Sequence, residues 1–138
     1  MDTDAARDEL FAYTISRGDA AFVHQHALDA VVAATAEANT PPQRLIFALV
    51  GLALHVDRGW SGRAVQQAHA RLAAKRPMWP AVAIPVRPGS VTIDDVLAAP
   101  AGDSRDARIT EWCAAEWARY AANHAVVAAF LERHGEQG

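Results

Sequence analysis

The sequence predicts an all-α fold, and three observations predict it. Alanine, leucine, glutamate, arginine and glutamine, all good helix formers, are abundant everywhere outside one proline-rich stretch. Apolar residues recur at helical spacing, as Ile109, Cys113, Trp117, Tyr120, Val127 and Leu131 do roughly on one face. Capping residues and glycine or proline stops punctuate the chain between these runs. With 138 residues, 51% of them hydrophobic and 21% charged, the chain suits one domain spanning 1–138 and excludes a long disordered tail.

The elements follow in order. Asp4 opens a first helix through Phe11 and Ile15 that stops near Gly18, and Asp19 caps a second running towards Asn39. Pro41 and Pro42 start the third, over 43–58, which is apolar around most of its circumference and so reads as the central helix, ended by Gly59. Ser61 caps a fourth through Val65, His69 and Leu72, which stops before Pro77. From 77 to 89, four prolines stand among Met78, Trp79, Val82, Ile84 and Val86, too many for a helix in a segment too apolar for a linker. It reads as a strap packed across the bundle, or as a lid over a pocket. Thr92 and Asp95 form a capping box for a short helix to Ala99, and Asp103 or Ser104 caps the longest helix, to about His134. The simplest assembly is a four-helix-bundle-like core with short accessory helices and the strap.

A formal charge of −3 gives no excess to hold a nucleic acid or an anionic membrane, so neither is expected as a partner. One cysteine excludes a disulfide framework, no apolar run approaches the ~20 residues of a membrane span, and the start has no secretory pattern, which together predict a cytoplasmic protein. Cys113, on an apolar face, reads as packing rather than as a nucleophile.

Six histidines invite a search for a metal or acid–base centre. On a helix His24 and His26 point roughly 200° apart, so they cannot serve one ion together. His24 shares the apolar side with Leu28 and Val31 and is the expected inward residue, whereas His26 is expected at the surface in an ion pair with Asp29. His55 lines up with Arg44, Ala48 and Gly51, beside Arg58; a glycine there costs helix stability by roughly 1 kcal/mol and signals close approach by a neighbour or a ligand. His69 falls with Val65, Leu72 and Arg76, Glu116 lies between Trp112, Cys113 and Tyr120, and His124 follows Tyr120 by one turn. Four helices are thus expected each to send one histidine inward. His24, His55, His69 and His124 make a candidate first shell for a divalent metal, Zn, Fe, Mn or Ni, with His24, Asp29, His55 and Glu116 as catalytic candidates and Arg44 and Arg58 as cofactor-binding ones. Without metal, a desolvated carboxylate beside histidines serves as general acid or base. The residues three before these histidines are Ala21, Leu52, Gln66 and Ala121, which disfavours a di-iron carboxylate bundle. Zinc-protease, P-loop and dinucleotide motifs are absent.

The phrases F-V-H-Q-H-A-L-D-A (22–30), F-A-L-V-G-L-A-L-H-V-D-R-G (47–59), S-G-R-A-V-Q-Q-A-H (61–69), V-T-I-D-D-V-L-A-A-P (91–100) and E-W-C-A-A-E-W (111–117) resemble, in the same order, domain-of-unknown-function family 5946 of small bacterial proteins. The resemblance implies no activity. It implies polar hallmarks at the histidine and aspartate of V-H-x-x-x-x-D-A and the histidine of L-H-V-D-R-G, here His24 or His26, Asp29 and His55. Where members carry A-Q after D-A-x-x, this chain has Ala33, Ala34 and Thr35. Two function classes follow: an enzyme or enzyme-like binder of a small molecule with a His/carboxylate centre, or a non-catalytic interaction protein or homodimer with structural histidines.

Overall fold

The computed structural model describes residues 2–17 and 23–136, and of Val23 only the backbone. These residues form α1 (Thr3–Arg17), α2 (Val23–Thr35), α3 (Pro42–Arg58), α4 (Gly62–Ala74), α5 (Ile93–Ala98), α6 (Asp103–Arg119), a 3-10 turn (Ala121–Asn123) and α7 (His124–Arg133), with no strand among them. The Gly18 stop and the Asp19 cap lie outside the described residues. No described helix is long and apolar enough to cross a membrane.

Local signals set most boundaries. Pro42 occupies the first turn of α3, where its missing N–H costs nothing, and Gly59 ends that helix at φ 68° with its N–H on the His55 carbonyl. Ser61 caps α4 by accepting from the Ala64 N–H, and Thr92 with Asp95 forms both bonds of the capping box at α5. The second helix ends at Thr35, short of Asn39, where Glu37 and Thr40 close a turn ahead of the two prolines. Neither Asp103 nor Ser104 caps α6; the cap position is Gly102 at φ 108°, and its N–H is taken by the Tyr13 hydroxyl oxygen at 3.0 Å.

Two expectations about packing are corrected. The long C-terminal helix is broken at Tyr120. There the Trp117 carbonyl receives the Tyr120 N–H at 3.1 Å and His124 Nε2 at 2.7 Å, while the buried Asn123 carboxamide pairs with both backbone groups of Ala83, at 2.7 and 2.8 Å. These bonds fix the 3-10 turn and clamp the strap to it. Along the strap Trp79, Val82 and Ile84 lie against the core, and Met78 and Val86 face solvent. The second correction concerns the centre. α3 is enclosed as expected, by α2, α4, α6 and α7, but α2 is covered as well, by α1, α3, α4 and α6 together, so His26 and Asp29 are not at the surface. Gln25, His26 and Asp29 are therefore buried although they lie off the apolar stripe of the helix.

Candidate functional site

Enclosure of α2 produces the most unusual group in the protein. Asp29 projects at α3 opposite Gly51, where a Cβ would overlap Asp29 Oδ2, so the glycine predicted to mark a close approach makes room for a carboxyl group. Gln25, one turn earlier, donates Nε2 to Asp29 Oδ1 at 3.1 Å, the i,i+4 pair a helix brings together. Asp29 Oδ2 has no partner among the described residues. On the same face of α2 the buried His26 lies parallel to His55 of α3, ring centroids 3.5 Å apart and planes 15° apart, and its Nδ1 is also without a partner. Half-buried His55 keeps its Nδ1 near the Trp60 carbonyl at 3.3 Å.

Burial dominates the electrostatics here. It pushes the Asp29 carboxyl well above the usual carboxylate range, with the Gln25 bond pulling weakly the other way. It pushes His26 down to about 3, helped by the neighbouring His55, and lowers His55 against the opposing bond to Trp60. Burial thus favours the protonated carboxyl at Asp29 and the uncharged imidazole at both histidines. Cys113 lies behind it, with Sγ 3.5 Å from the His26 carbonyl. Burial raises its thiol, and Asp29 and Glu116 push the same way, which suits packing and not nucleophilic chemistry.

Glu116, also a buried carboxylate, is held differently. Arg119 places Nε 3.2 Å from both oxygens and Nη2 3.0 Å from Oε1. The same guanidinium donates to the carbonyls of Ala33 at 2.8 Å, Arg87 at 2.9 Å and Pro85 at 3.4 Å, so it ties α6 to the end of α2 and to the strap. Burial raises the Glu116 carboxyl, and Arg119 opposes that shift. Gly89 of the strap lies so close that a Cβ there would overlap Glu116 Oε2.

The remaining predicted site residues are not brought together. The assignments of His24 and His26 are reversed: His24 is half-buried against α1, with Nδ1 2.8 Å from Thr14 Oγ1 and its ring edge-on to Phe11, and Asp29 forms no surface ion pair. His69 Nε2 donates to the Phe47 carbonyl at 2.8 Å, and His124 stacks on Trp117 at 3.8 Å. Arg44 and Arg58 are exposed and fourteen positions apart on α3, about 21 Å along its axis. Arg58 donates to the Glu136 carbonyl at 2.6 Å, and Arg44 borders an open hollow beside Arg7. Among the described residues no three histidine, cysteine, aspartate or glutamate side chains group so as to hold a metal ion.

Sequence reasoning missed His26, Gln25 and Arg119 in their present roles. The Gln25–Asp29 and Glu116–Arg119 spacings were signals of pairing, but periodicity alone puts His26 and Asp29 off the apolar side of their helix. No curated protein and no solved structure matches the chain. The model of DUF5946, a family of unknown function, matches residues 4–121, and the chain belongs to that family.

Proposed function

We infer that this is a small-molecule-binding helical protein whose acid–base centre is Asp29 with the stacked His26 and His55. One observation carries the reading. Of the four buried side-chain atoms without a partner among the described residues, two, His26 Nδ1 and Asp29 Oδ2, sit within one turn of α2. Buried polar groups are nearly always paired, and a pair of exceptions beside a half-buried imidazole marks a place where a ligand supplies what the fold does not. Asp29 is the acid, since burial favours its protonated form, and His55, the more accessible ring, is the base. Burial favours the uncharged form of all three groups, which favours an uncharged substrate. Glu116 is a fastening for the strap and has no catalytic part.

A thermal-shift screen of soluble metabolites tests this on the wild type, Asp29→Asn and His55→Ala. The expected result is a compound that raises the wild-type melting temperature and does nothing for either variant, with both variants keeping their helical circular dichroism. A ligand that stabilises all three proteins equally would overturn the assignment of the centre.

A further inference from the structure

Trp60 is the single residue between two helix ends. Behind it Gly59 closes α3 at φ 68°, with its N–H on the His55 carbonyl at 3.0 Å, and the Trp60 N–H returns to the Leu54 carbonyl, also at 3.0 Å. Ahead of it Ser61 opens α4, its hydroxyl oxygen accepting the Ala64 N–H and its carbonyl the Val65 N–H. The indole is half-buried against the core. The peptide that joins Trp60 to Ser61 is therefore held from both sides, and its carbonyl oxygen lies 3.3 Å from His55 Nδ1.

A carbonyl oxygen only accepts, so this contact requires the proton of the neutral ring on Nδ1. That is the less common tautomer of a histidine side chain free in water. The hydrogen bond made by one ring nitrogen decides which nitrogen carries the proton, and Nδ1–H leaves the lone pair on Nε2. His26, stacked 3.5 Å away, fixes the plane of the His55 ring, and the Trp60 carbonyl fixes which edge of the ring lies against the turn.

We propose that the turn at Gly59 and Trp60 sets His55 in its Nδ1–H tautomer, which makes these two positioning residues for the base and makes Nε2 the atom that takes a proton from the ligand. The inference rests on the reading of His55 as the base of the centre. It narrows the ligand chemistry: the group that meets His55 is a donor, a hydroxyl or an N–H, and an analogue carrying an ether oxygen or a tertiary amine there would meet the Nε2 lone pair with another lone pair. Gly59 is required by this device because its positive φ aims the Trp60 peptide back at the last turn of α3.

The test is the ¹⁵N NMR spectrum of the imidazole nitrogens, recorded on the full chain at pH 8, above the ordinary imidazole value. A ring nitrogen that carries a proton resonates far upfield of one that does not, so the two tautomers are told apart directly, and the signals lost in His55→Ala assign His55. The wild type should show a protonated Nδ1 and a bare Nε2. Gly59→Asn, whose side chain tolerates a positive φ, should keep that pattern, and Gly59→Val, whose branched side chain does not, should move most of the His55 proton to Nε2. A wild-type His55 with its proton on Nε2 overturns the proposal whether or not Gly59→Val folds, and so does a folded Gly59→Val with the wild-type pattern. No ligand enters the measurement, so its failure is distinct from that of the acid–base centre: a screen without hits would leave the tautomer as it is, and the wrong tautomer would leave the screen's result standing.

Discussion

Two buried carboxylates in this protein each face a glycine of a neighbouring segment, and the fold treats them in opposite ways. Glu116, against Gly89, shares both oxygens with a guanidinium that also gathers three backbone carbonyls. Asp29, against Gly51, has one amide on one oxygen and, among the described residues, nothing on the other. Both are pushed up by burial, but only Glu116 has a cation pulling back. A buried carboxylate with a committed cation fastens segments together, whereas one among neutral groups is pushed towards its protonated form.

Removing the partner of each carboxylate gives the largest contrast. Arg119→Met leaves Glu116 buried without its cation and frees the strap, an expected loss of about 3–5 kcal/mol in urea unfolding. Gln25→Met takes one neutral hydrogen bond from an already neutral Asp29 and should cost about 1 kcal/mol. Equal losses would mean that Asp29 is charged, and the contrast would fail.

Gly51 sharpens the comparison at intermediate size. Alanine in the middle of a helix normally gains about 1 kcal/mol over glycine. Here the added methyl overlaps the Asp29 carboxyl, and Gly51→Ala should instead destabilise by about 1–3 kcal/mol. In an Asp29→Ala background the same change should become neutral or favourable, a coupling read from the double-mutant cycle.

A third contrast lies in the pH profile. The Asp29 carboxyl is raised in the fold, so the folded state binds the extra proton, and stability falls as pH climbs from about 4 through the folded value. Asp29→Asn should flatten that decline and melt higher than the wild type at pH 8. His26 is shifted the opposite way, to about 3, so its contribution is complete above about 6.5 and is lost as pH falls towards 3. His26→Phe keeps a flat ring against His55 and should remove this acid limb. An unchanged acid limb in that variant would place the sensitive group elsewhere.

The helices were legible because their signals are local. Proline at the start of α3, Gly59 at its end, the Ser61 cap and the Thr92–Asp95 box each act within one turn, and each appears where the sequence puts it. The break at Tyr120 was illegible, because it is held by Asn123 reaching Ala83, forty positions away. The candidate site was half legible. Gly51 announced a close approach and His55 the face on which it occurs, but the identity of the visitor depended on how many helices surround α2. A helical wheel presumes one buried side; α2 has neighbours on several, so Asp29 and His26, off the apolar stripe, are as buried as the alanines beside them.

The central claim is that Asp29 carries a proton in the neutral-pH protein. Infrared difference spectroscopy between the wild type and Asp29→Asn detects it directly, through the carbonyl stretch of a protonated carboxyl group. The account predicts that this band is present in the wild type at pH 7 and missing from the variant. A band that emerges only below about pH 4, as for an ordinary aspartate, would contradict it.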